Sequence, residues 1–106
     1  MKELAQRNWR AQLSSLFPWI EGQRLQIIDR YRKFLRIDEH LKALGVQQVQ
    51  DIELGALRHQ LRNFVHRDEW DRIKTLADMR NDLAHRQPVN PRHFEQIRNL
   101  GPGLRK

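Results

Sequence analysis

The chain has 106 residues and carries 20 Lys and Arg against 13 Asp and Glu, a formal charge of +7, and fifteen of its cations are arginine. That length holds one domain able to bury about two thirds of its unfolded surface. The charge balance points to a polyanionic partner, arginine being the side chain suited to forked contacts with phosphate. The absence of cysteine excludes a disulfide framework, thiolate chemistry and a zinc finger. No apolar run reaches the length of a secretory signal or a membrane span, so the protein is expected to be soluble and cytoplasmic.

Ala5, Trp9, Leu13 and Leu16 follow one another at spacings of four, four and three, a helical period that predicts a first helix over Lys2–Phe17. Pro18 suits a first turn and not a helix interior, so a kink or restart is expected there. A second helix is predicted from Trp19 to about Leu44, with Ile20, Ile27, Ile28, Tyr31, Phe34, Leu35, Leu41 and Leu44 as its stripe. Arg24, Arg30, Arg32, Lys33 and Arg36 occupy mostly other positions. Such a flank can follow a nucleic-acid backbone, although a charge run is more often the solvated side of a helix. Gly45 is a natural C-terminal stop. Val46 to Gln50 reads as a connection and Asp51 as the N-cap of a third helix, whose apolar face is Leu54, Leu57, Leu61, Phe64 and Val65.

His66 and Arg67 turn the chain, Asp68 is the expected cap of a fourth helix, and Glu69 and Asp71 in its first turn suit the helix dipole. Trp70 is expected in the core. The helix should run from Glu69 to about Arg86, ahead of Pro88. At about 100° per residue, Ile73, Leu76, Ala77, Met79, Leu83 and Ala84 share an arc of roughly 160°, the width of a core-facing stripe. Arg80 falls inside that arc. Its guanidinium cannot be neutralised, so half-burying it is costly unless an anion or a polar network receives it. Asn81 and His85, four residues apart, share the flank beside it. A structural reading stands next to the functional one: such an arginine often pairs with a carboxylate or snorkels to solvent, and a histidine at a helix end often caps carbonyls.

Asn90 and Pro91 have the cap and first-turn signature of a short fifth helix, Arg92 to Asn99. After His85 the chain holds Arg86, Arg92, Arg98, Arg105 and Lys106 against the single acid Glu95. Arg86, Arg92 and Arg98 are therefore the expected nucleic-acid contacts, and residues 101–106 read as a flexible basic tail. No internal repeat or strand-period segment is present. The expected architecture is all-α, an up-and-down bundle of about four main helices plus a short C-terminal helix, in a single domain over residues 1–100.

The run Arg80-Asn81-Asp82-Leu83-Ala84-His85 resembles the R-x4-6-H motif of the HEPN superfamily, including the polar residue that often follows the arginine. Arg86-Gln87-Pro88-Val89 is similar to the exit used by those domains. The resemblance covers roughly Ile52 to Ile97, and its sharp part is the six-residue run. Arg62-Asn63-Phe64-Val65-His66 has the same look, but its spacing is one residue short and Arg62 falls beside its stripe, which makes it a decoy.

RNA carries its own nucleophile, the 2′-hydroxyl, so a minimal ribonuclease needs a base, an acid and stabilisation of the charged phosphorane. His85 can move the proton, imidazole titrating near neutrality. Arg80 can hold non-bridging oxygens by a forked contact, and Asn81 can orient the phosphate or the imidazole. The scheme requires no metal or other cofactor. In catalytic HEPN domains two copies of the motif face each other across a dimer interface. The resemblance thus implies Arg80 and His85 as the catalytic pair, Asn81 in support, RNA as substrate and a homodimer. It also implies a toxin or defence setting in which a nucleotidyltransferase-like antitoxin is a partner. The alternative is a non-catalytic HEPN-like module that dimerises or binds RNA, with Arg80 and His85 stabilising the bundle. Other chemistries fit worse. His40, His59, His66, His85 and His93 lack an H-E-x-x-H spacing, no glycine-rich phosphate loop is present, and Ser14 and Ser15 have no G-x-S-x-G setting.

Overall fold

Apolar residues at helical spacing continue on both sides of Pro18, and the packing follows them through the proline. The computed structural model describes residues 2–100, with side chains from residue 9 onward, and it contains one unbroken helix here, α1 (Lys2–Tyr31). The expected restart at Pro18 is therefore corrected to one continuous helix. Leu16 and Phe17 before the proline and Ile20, Ile27 and Ile28 after it pack into the same core, while Pro18 itself faces solvent. The ring costs the helix one hydrogen bond, at the Ser14 carbonyl, and disturbs no packing.

The expected second helix also ends earlier than its apolar period, at Tyr31 and not Leu44. A 3-10 turn (Arg32–Phe34) and an extended stretch lead into the short α2 (Glu39–Ala43). Asp38, which carries no capping signal in the expected scheme, accepts the Leu41 N–H on its Oδ1 at 2.9 Å. Gln60 clamps the extended stretch from the side. Its Nε2 donates to the Arg36 carbonyl at 2.8 Å, and its Oε1 accepts the Arg36 N–H at 3.1 Å. Leaving the helix lets Leu35 and Leu41 both reach the core. Leu44, expected in the stripe, is 67% exposed. Gly45 does stop α2, at φ +88°, with its N–H bonded to the Lys42 carbonyl and that of Val46 to the Leu41 carbonyl, the Schellman closure.

After a second 3-10 turn (Val49–Asp51) comes α3 (Leu54–Leu61). Asp51 lies in that turn, so it is not the N-cap. Glu53 holds the cap position but makes no side-chain capping bond, its carboxylate being turned toward Arg80. Because α3 stops at Leu61, Phe64 and Val65 lie beyond it and not on its apolar face. Helix α4 (Arg67–Ala84) starts after His66, which replaces Asp68 at the N-cap; Asp68 and Glu69 form its acidic first turn. Helix α5 (Pro91–Asn99) begins where expected, the Asn90 side chain accepting the Arg92 N–H at 3.0 Å. The expected basic tail, 101–106, lies outside the described residues.

Helix α4 packs against α1, α3 and α5. Its Ile73, Leu76, Met79 and Leu83 meet Leu54, Leu57 and Leu61 of α3 and Ile20, Ile27 and Ile28 of α1 in one core. Among the described residues there is no strand, and no helix is long and apolar enough to cross a membrane. The all-α bundle is flat, 44 × 32 × 17 Å. Its Cα radius of gyration is 14.5 Å, against about 13 Å for a compact chain of this length. Helix α1, at about 1.5 Å per residue, accounts for the long axis.

Pro18→Ala should restore the missing hydrogen bond at a solvent-facing position and raise stability by about 1–3 kcal/mol. Urea unfolding measures it, and a loss of stability would mean that the packing depends on a bend imposed by the ring.

Candidate functional site

Helix α4 ends at Ala84, so His85 sits on the cap and not on the last helical turn. The closure repeats that of α2. The Arg86 N–H bonds to the Leu83 carbonyl at 3.1 Å, the Gln87 N–H to the Asp82 carbonyl at 2.8 Å, and the His85 N–H to the Asn81 carbonyl at 3.0 Å. At the position where α2 uses Gly45, α4 uses Arg86, at φ +59°. A side chain in that conformation costs about 1–2 kcal/mol. Helix α1 covers this end. Trp9 Nε1 donates to the Leu83 carbonyl at 2.8 Å, the Arg86 guanidinium lies over the Trp9 ring at 5.9 Å, and Gln12 Oε1 accepts the Val89 N–H at 2.6 Å.

The residues of the motif point to different neighbours. His85 and Asn81 are exposed, and among the described residues neither side chain makes a hydrogen bond or ion pair. Arg80 runs along the apolar face toward the start of α3. Its side chain is 31% exposed, and Nε lies 3.2 Å from Glu53 Oε2. That nitrogen is out of contact with solvent and is not aligned for a hydrogen bond, so the contact is an ion pair and not a fork. No side-chain bond joins Arg80, Asn81 and His85 to one another among the described residues. Asp82, inside the same run, fastens α5: its Oδ2 accepts the Asn90 N–H at 3.3 Å and lies 3.6 Å from His93 Nε2. Arg86, Arg92 and Arg98, the expected nucleic-acid contacts, are all exposed.

Among the described residues the buried arginine is Arg72, 4% exposed, a residue outside the expected site. It lies on the same face of α4 as Ile73, Leu76 and Met79, and Glu69 three residues earlier is the signal in the sequence that could have found it. Its Nη2 donates to Gln23 Oε1 of α1 at 3.2 Å. Burial pushes its guanidinium below the ordinary arginine value, and the Glu69 charge opposes that shift. Glu69 Oε2 in turn accepts the Tyr31 hydroxyl at 3.3 Å. Burial first, then the Glu69 charge, raises the phenol above its ordinary value. This network joins α1 to the first half of α4, about 20 Å along the helix from His85. Trp70, expected in the core, is half-buried and donates its indole N–H to the Arg58 carbonyl at 2.9 Å.

A cleft of about 720 Å³ between α2 and α3 is lined by Leu41, Val46 and Ala56 together with Asp38, Asp51 and Glu53. Glu53 thus belongs both to that wall and to the Arg80 pair. Among the described residues no group of three or more histidine or carboxylate side chains is arranged to hold a metal ion. Comparison with protein-family models, with curated proteins and with solved structures finds no match.

Two outcomes follow from this geometry. Arg86→Gly should be more stable than Arg86→Ala by about 1 kcal/mol in denaturant unfolding, because both lack the guanidinium over Trp9 and only alanine keeps the backbone strain. The single tyrosine reports the second. A phenol raised in the folded state contributes stability that is full below pH 10.0, its ordinary value, and is lost as pH rises through the folded value. Phenolate absorbance should therefore appear later in the folded than in the urea-unfolded chain, and Tyr31→Phe should remove that part of the alkaline loss of stability.

Proposed function

We propose that this chain is a HEPN-type domain that cuts RNA without a metal, at a site completed by a second copy of itself. The observation that carries the reading is the end of α4. His85 and Asn81 stand exposed with no side-chain partner among the described residues, and the next residue after His85, Arg86, is held at a positive φ where a glycine would be free of strain. Strain of this kind collects at functional sites. His85 would take the proton of the 2′-hydroxyl as its oxygen attacks phosphorus. The bond to the 5′-oxygen breaks, and that oxygen receives a proton from the second copy's imidazole. The ends are a 2′,3′-cyclic phosphate and a 5′-hydroxyl. Arg80 would exchange Glu53 for the phosphate. The Glu53 side chain, 53% exposed, can return to water when it gives up the arginine, and Arg80 Nε, which has no aligned hydrogen bond, gains one from the phosphate. A cytoplasmic toxin or defence role, with a nucleotidyltransferase-like antitoxin as partner, belongs to the same reading.

One observation favours the alternative, a module that dimerises or binds RNA without cutting it: Arg80 already has a carboxylate partner. The two readings part on cleavage of a mixed RNA pool in EDTA. Under the first, the wild type cuts and leaves cyclic phosphate ends. His85→Ala and Arg80→Ala, at unchanged helicity, then fall by about 100-fold or more, while Glu53→Gln frees Arg80 and tightens RNA binding. Under the second, the wild type is inert in EDTA, and Arg80→Ala and Glu53→Gln lose only stability.

A further inference from the structure

Away from the motif, the chain displays an aromatic pair on its surface. Phe64, three residues past the end of α3, is 55% exposed, and its ring stacks on Phe34 with centroids 4.9 Å apart and planes 15° from parallel. One face of Phe64 is thus covered, and the other is left to solvent. The two rings come from segments thirty residues apart, locked in place by the paired bonds between Gln60 and the Arg36 backbone. Cations flank them: Lys33 lies against the pair, and Arg36 and Arg62 each stand two residues in sequence from one of the rings. The Lys33 ammonium sits 5.1 Å from the centroid of Phe34, and the Arg62 guanidinium 5.9 Å from that of Trp70, whose indole is fixed on Arg58. Lys33, Arg36 and Arg62 are all exposed, and among the described residues no carboxylate lies within ion-pair distance of any of them.

A preorganised π face with exposed cations on the same two segments matches one chemistry, a strand that offers planar bases and phosphates together. We propose that this surface is a base-stacking platform for single-stranded RNA, with the open face of Phe64 receiving a base and Lys33, Arg36 and Arg62 receiving the flanking phosphates. An acidic peptide would satisfy the cations and leave the ring unused. The identity of the strand as RNA rests on the function proposed above, but the platform itself needs no cleavage, so the two can fail separately.

The test is fluorescence anisotropy with a short labelled strand whose sugars are 2′-O-methylated and therefore cannot be cut, beside an abasic strand of equal length. Wild type should prefer the base-bearing strand by about tenfold. Phe64→Ala should lose that preference while holding the abasic strand as before. Phe64→Leu, which keeps apolar cover over Phe34, should behave the same way with stability unchanged. The pair Lys33→Ala and Arg62→Ala should weaken both strands and reduce the salt slope by roughly 0.7 for each phosphate no longer neutralised. Equal binding of the two strands by wild type, or an undiminished preference in Phe64→Leu, would overturn the proposal. Binding by a chain that cuts nothing would leave the platform standing and remove the nuclease.

Discussion

Three helices of this fold share the work of covering one face of α4. Ile73, Leu76, Met79 and Leu83 are each 1% exposed or less, and burying such side chains is worth about 1.5–3 kcal/mol apiece. Thr75 extends the buried face on one side, so the arc is wider than any single neighbour can cover. Helices α1, α3 and α5 share it. Two arginines fall within the arc, and the same pressure resolves them in two ways. Arg72 is closed in beneath α1 with a glutamine to receive it. Arg80 follows the apolar surface out to the edge, where Glu53 receives it. The placement of the arginine at the centre of the functional proposal is thus a by-product of packing the core.

That division of labour continues along the run from Arg80 to Arg86. Arg80 reaches α3, Asp82 fastens α5, Leu83 enters the core, Arg86 lies against Trp9 of α1, and Asn81 and His85 are left to solvent. A stretch this short joins α4 to three other helices, α1, α3 and α5. The two side chains that have no partner among the described residues are the ones that a phosphate-handling site would need free.

Much of the helical content was legible in the sequence, because it rests on local chemistry. Asn90 and Pro91 start α5 and Gly45 ends α2 by preferences that need no tertiary partner. The apolar arc of α4 was equally plain. Pro18 misled because its cost is local while the apolar residues flanking it share one core, and shared burial outweighs one lost hydrogen bond. Leu44 misled because an apolar period says nothing of where the chain must leave a helix to bring Leu35 and Leu41 inward. At the site, periodicity gives an angle and not a depth. Arg72 and Arg80 occupy the same arc, and what separates them is whether α1 or an open edge lies opposite. Glu53 beside Arg80, Trp9 beneath Arg86 and Phe34 against Phe64 are meetings of distant segments, which no local pattern encodes.

The contacts of Trp9 with Leu83 and of Gln12 with Val89 join residues 74 and 77 positions apart. Loop-closure entropy grows with the logarithm of the enclosed length. This seam therefore costs about 2 kcal/mol more to close than the five-residue connection between α3 and α4. The hairpin of α3 and α4, and then α5, can assemble from neighbours in sequence, whereas the first half of α1 must find its place across nearly the whole chain. On that difference the α1 seam is expected to form last and to open first. An opening there would take their α1 partners from the Leu83 carbonyl and the Val89 N–H, on either side of His85, and so would loosen the stretch on which the proposed chemistry depends.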